Sequence, residues 1–200
     1  MAAFFQSLGR TIIAGVVVLI VLLILVAFGA GAKVGIGEHA WWSFAMRWLH
    51  VTAGVMWIGL LWYFNFVQTP SMPKIPDEQK PAIGKVIAPA ALFWFRWSAM
   101  ATLILGLILA LMNGYLVQAL MLQKPFTAIG LGAWLGTIMW FNVWFVIWPN
   151  QKKALGMVPV SAEEKAAAAK RAGMTSRINT MLSIPMLYFM VAQSHGGLGF

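Results

Sequence analysis

Apolar residues in this chain come in long blocks, with the polar residues gathered between them. The first block runs from Thr11 to about Ala30, and further blocks cover about Glu38 to Phe66, Ala90 to Gln118, Thr127 to Trp148 and Ile178 to Ser194. Each approaches or exceeds the roughly 18 to 20 residues that a helix needs to cross a bilayer. A helix also satisfies its own backbone hydrogen bonds where no water can. The pattern predicts an all-α integral membrane protein with five transmembrane helices in a bundle. The first block is longer than the apolar region of about 7 to 15 residues in a signal peptide. Residues 1–37 therefore read as an additional N-terminal transmembrane helix and 38–200 as a four-helix membrane domain.

The segments between the blocks add detail. Five prolines from Pro70 to Pro89, with mixed charges, predict an ordered, turn-rich surface loop rather than more helix. Ser161-Ala-Glu-Glu164 is a capping box before an alanine-rich run, which predicts a short surface helix from about Ser161 to Arg171. Gly130, Gly132 and Gly136 are small positions at which another helix can come close. Asn142 in the fourth block and Asn179 with Arg177 at the entry to the fifth read as interhelical hydrogen-bond partners.

Composition and charge narrow the class. The chain is 61% hydrophobic and 10% charged, with a net charge of +9. In a membrane protein such a basic excess belongs to the cytoplasmic loops, so no nucleic-acid partner is expected. Eleven of the 14 Lys and Arg residues fall on the side of the N-terminus, Lys33 and Lys124 on the other, and Arg47 within the membrane. The N-terminus is thus expected in the cytoplasm and the C-terminus outside. There are no cysteines, which excludes disulfides, thiolate metal sites and covalent haem attachment.

The candidate chemistry centres on Trp41 to Pro70. Arg47 and His50 are ionisable residues inside a span, which makes them functional-site candidates. They lie three residues apart on one helix face, which Gly54, Trp57 and Leu61 continue. Haem is the specific reading: His50 as a ligand, Arg47 bonding a propionate, and Gly54 letting a flat group approach the backbone. The plainer readings are a packing histidine and an arginine reaching to the headgroups. His39 begins the same helix and His195 ends the last one, each a ligand or an interfacial histidine. His39 and His50 are about 16 Å apart along the helix, so they cannot share one iron. A second ligand to His50 would be His195 or a methionine, with Met56, Met186 and Met190 as candidates. Most tryptophans sit where interface belts belong. No span carries paired carboxylates, which argues against a proton-coupled transporter.

Three segments, RWLHVTAGVMWIGLLWYFNF, FNVWFVIWPNQKKALG and SRINTMLSIPMLYFMVAQSHGG, together resemble the membrane domain of the bacterial urate hydroxylases, the urate oxidase N-terminal domain family. The resemblance implies an inner-membrane, multi-pass redox protein that oxidises urate to 5-hydroxyisourate and passes electrons to a cytochrome c on the outer side. Joined to the reading of the residues, this gives the expectation of haem b held non-covalently by His50 and His195, with Arg47, Gly54 and His39 beside it. Ile178 stands where the family pattern Ser-Arg-His-Asn carries histidine. Relative to long members the chain reads as truncated, without the C-terminal cytochrome c domain. This supports a second expectation, a non-catalytic accessory subunit of a hetero-oligomeric respiratory electron-transfer complex. No catalytic residue is singled out.

Overall fold

The structure is a computed structural model describing residues 5–31 and 34–197. All regular elements among these residues are helical: α1 (Leu8–Gly29), α2 (His39–Lys74), α3 (Lys80–Met112), the short α4 (Leu116–Leu120), α5 (Thr127–Ala154) and α6 (Ala162–His195). Lys33, counted above on the outer side, lies outside the described residues.

The chain divides into two compact units at Phe44 and Ala45. In the first, α1 is apolar on all sides and none of its side chains is buried. That is the surface a helix presents to hydrocarbon. The second unit is the bundle. Along α2 and α3, His50 meets Thr102 and Phe64 meets Phe95. Trp97 and Arg96 of α3 meet Trp144 and Trp148 of α5. Asn142 and Ile129 of α5 meet Asn179 and Gln193 of α6, while Trp62 and Asn65 of α2 meet Ser183 and Ser176. Each pairing runs in opposite directions along the two helices, so the neighbours are antiparallel. The bundle therefore has a histidine end, with His50 and His195, and a proline end, with Pro70, Pro89 and Pro149. Trp57, Leu61, Phe95, Met139, Val143, Ile147 and Met186 form its apolar centre.

Four helices among the described residues, α1, α2, α3 and α5, are long and apolar enough to cross a membrane. The helix expected as the fifth span is not among them. Its polar residues are the reason: Asn179, Thr180, Ser183 and Gln193 fall within it, and Asn179 and Ser183 are buried in the bundle. The expected surface helix and fifth span are also one continuous helix of 34 residues. Ser161 caps it as the sequence implied, accepting from the Glu164 N–H at 3.1 Å. The third span ends earlier than expected. It stops at Met112 because Gly114 adopts a left-handed conformation, φ +72°, and turns the chain out of the helix.

The proline-rich segment departs furthest from expectation. α2 continues through Pro70 and Pro73 to Lys74, and α3 begins at Lys80, so most of the expected loop is helical. The device is a widened turn. Tyr63–Gln68, Ile83–Ile87 and Asn142–Ile147 are π-helical, and a proline stands two positions after the last residue of each. A proline cannot donate to the carbonyl four residues back, and its ring crowds that carbonyl. For Pro70, Pro89 and Pro149 those carbonyls belong to Phe66, Lys85 and Phe145, all inside the π segments. Just before each proline, the N–H of Thr69, Ala88 or Trp148 bonds five residues back instead, to Phe64, Ile83 or Val143.

Side-chain hydrogen bonds tie α6 to its neighbours. Asn142 Nδ2 donates to Asn179 Oδ1 at 2.8 Å, and Asn179 Nδ2 donates to the Met139 carbonyl at 2.9 Å. The interhelical role read for Asn142 and Asn179 is thus observed. Gly132 fits under Met190, whose Cγ would lie 3.1 Å from an added Cβ, and a Cβ at Gly130 would collide with the Ala119 carbonyl. Asn179 is 0% exposed, so Asn179→Ala strands both partners. The expected loss is about 1–3 kcal/mol in a reversible detergent unfolding measurement. Ile178→Ala, at an exposed neighbouring position, should change stability by less than about 0.5 kcal/mol. Equal losses would show that the amide is not what holds α6.

Candidate functional site

His50 faces α3. Its Nδ1 lies 2.8 Å from the Thr102 carbonyl oxygen. A carbonyl only accepts, so Nδ1 carries the hydrogen and a neutral ring keeps its lone pair on Nε2. The ring rests against Gly106, where an added Cβ would come within 2.8 Å of Cε1 and 3.0 Å of Nδ1. One turn further along α2, a Cβ on Gly54 would meet the Thr102 methyl at 3.8 Å. Gly54 and Gly106 together thus let α2 and α3 close with an imidazole between them. Thr102 is fixed in turn, its hydroxyl donating to the Ser98 carbonyl at 2.7 Å. Trp57 and Leu61 continue this face into the core, at 2% and 0% exposure.

Arg47, one turn before His50, is exposed. Its charge is felt by Tyr115, which lies between α3 and α4 and stacks on Phe126 with ring centres 5.0 Å apart. Burial pushes the Tyr115 hydroxyl above its ordinary range and Arg47 partly offsets this, so Tyr115 keeps its proton at neutral pH.

His195 is the last residue of α6 and is exposed; Gly196, at φ +71°, ends the helix there. Its Nδ1 is 3.1 Å from the Val191 carbonyl, which again leaves Nε2 as the lone-pair nitrogen of a neutral ring. It lines an open, mostly apolar groove of about 370 Å³ with Leu187, Tyr188, Val191, Ala192 and Gly197. His39 is the exposed first residue of α2 and belongs to the first unit.

The structure brings His50 and Gly54 together on one stretch of α3. His195 shares their end of the bundle, because Gln193 anchors that end of α6 to the Ile129 N–H and the Pro125 carbonyl, each at 3.0 Å. Each imidazole is held by a different carbonyl, and no hydrogen bond joins the two. Of the methionines, Met186 is in the core, Met190 packs on Gly132 and Met56 is 45% exposed. No group of three or more His, Asp or Glu side chains able to hold a metal ion occurs among the described residues. Thr102 and Gly106 were not anticipated. The signal for them was the row Ser98, Thr102 and Gly106, small residues four apart on an otherwise bulky helix.

The sequence of α5 and α6 is similar to a known family. Residues 125–199 match the urate oxidase N-terminal family. The match supports the resemblance over this segment, which contains the Asn142–Asn179 pair and His195. The helix bearing Arg47, His50 and Gly54 lies outside it. No curated protein and no solved structure matches the chain.

Gly106→Ala is expected to push the imidazole off the Thr102 carbonyl, at a stability cost of about 1–3 kcal/mol. Imidazole 15N spectra should then lose the Nδ1–H tautomer signature of His50. An unchanged spectrum would mean that the ring does not depend on Gly106 for its position.

Proposed function

We propose that this urate-hydroxylase-related membrane domain is a haem-b redox protein of the bacterial inner membrane, with the N-terminus in the cytoplasm. His50 and His195 hold the iron. The observation that carries this reading is shared by both residues: each imidazole gives its Nδ1–H to a backbone carbonyl and keeps Nε2 for a metal. Metal-binding histidines are typically oriented by such a second hydrogen bond. The apolar groove beside His195 suits the edge of a macrocycle, and the exposed Arg47 guanidinium suits a propionate.

Haem b, when bound, would relay electrons singly between a two-electron donor and a one-electron acceptor. Hydroxylation of urate by water to 5-hydroxyisourate releases two electrons and two protons. A cytochrome c on the side of the histidine end would take the electrons one at a time. This chain's part is to hold the imidazoles in one tautomer and to place positive charge at Arg47.

A second reading is an accessory, non-catalytic subunit of a respiratory electron-transfer complex. One observation favours it: the family match covers α5 and α6 but not the helix with His50.

The test is a reduced-minus-oxidised visible spectrum of the purified protein supplied with haem, with His50→Ala and His195→Ala alongside. A b-type α band in the wild type, lost or reduced at least about tenfold in His50→Ala, is expected. Reduction of that band by urate supports the enzyme, and a stable band that urate leaves oxidised supports the accessory subunit. A flat wild-type spectrum would overturn the haem reading and leave the accessory subunit as the better one.

A further inference from the structure

The proline end of the bundle holds buried polar groups that the redox reading leaves unused. Arg96 keeps only 9% of its surface exposed. Its guanidinium lies over the Trp148 ring, 3.4 Å from the centre, and its Nη1 has no hydrogen-bond partner. Lys152, one turn past Trp148, brings a second cation to 5.7 Å from the same ring. Among the described residues no carboxylate pairs with Arg96 or Lys152. The indole Nε1 of Trp144, one turn before Trp148, is also buried without an acceptor.

The aromatic ring satisfies only the face of the guanidinium. Its N–H groups radiate in the plane, and burying Nη1 without an acceptor is costly. The amide oxygens of Gln68 and Gln151 at this end also lack donors, but two full positive charges outweigh them, so what is missing is negative and rich in oxygen. A cation is repelled here by two positive charges, and an apolar group leaves the same N–H groups unpaired. The fork of an arginine matches a phosphate in geometry as well as charge. The surroundings are also where backbone regularity is relaxed, since Trp144 lies inside a π segment and Trp148 directly follows it. Such turns often mark functional positions.

We propose that Arg96, Lys152 and Trp144 form a binding site for a phosphate-type oxyanion at the proline end of the bundle. The phosphate comes either from the headgroup of an acidic phospholipid or from a soluble phosphate. The site is independent of the histidines and of haem.

The experiment uses the full chain in nanodiscs of a phosphate-free galactolipid, of that lipid with phosphatidylglycerol, and of that lipid titrated with inorganic phosphate against chloride of equal ionic strength. Thermal unfolding is the readout. Wild-type protein should gain several degrees in Tm with one phosphate source, Arg96→Gln should lose most of that gain, and Lys170→Gln, on the exposed start of α6, should keep it. A gain with phosphatidylglycerol alone assigns the headgroup, and one with inorganic phosphate assigns the soluble ion. No gain in the wild type, an equal gain with chloride, or an equal gain in Arg96→Gln overturns the proposal. Should Arg96→Gln fail to fold, Arg96→Lys keeps the charge without the fork and should raise the half-saturating concentration of the effective anion at least about fivefold. An unchanged value there also overturns it.

Discussion

A fully buried primary amide has to bond at both ends, and Asn179 does so across two helices. In hydrocarbon there is no hydrophobic drive to press one apolar helix on another, so packing and polar pairs set how helices meet. Asn179 takes its acceptor role from Asn142 and its donor role from the Met139 carbonyl. Sliding α6 by one residue along α5 would break both bonds and leave the amide unsatisfied. The same helix bonds α2 through Ser176 and Ser183, and reaches the start of α5 through Gln193. α6 thus works as a polar spine, and its low apolarity follows from that task.

This explains which parts of the fold were legible in the sequence. Blocks of apolar residues announce helices in contact with lipid, and α1, α2, α3 and α5 were visible for that reason. The capping box at Ser161 and the asparagines at 142 and 179 were visible because their chemistry is local or rare in a span. The merging of the surface helix with the last span was not, because alanine-rich and mixed polar sequence continues a helix without any change of period. The prolines misled most. Their usual meaning is a break, and in three places here the backbone widens by one residue and carries on instead.

The candidate site was half legible. His50 stood out as a histidine within an apolar segment, and Trp57 and Leu61 do share its face. Its partners were hidden, since a carbonyl belongs to every residue and the closeness of Gly106 depends on the neighbouring helix. Arg96 was hidden differently. It is 9% exposed, and the ring that its guanidinium covers, Trp148, comes more than fifty positions later in the sequence.

The widened turns also bear on how these helices tolerate change in length. A π turn holds one residue more than the α-helical turn it replaces, so the surplus is taken up within the turn and the helix beyond it keeps its phase. Shortening α2 by one residue within Tyr63–Gln68 would restore ordinary winding there and leave both Pro70–Lys74 and the stretch from His50 to Leu61 on their present faces. The same deletion between His50 and Trp57 would turn the imidazole and the core onto different faces. The two halves of one helix are thus free to drift to different degrees, with the slack confined to the end away from the histidines.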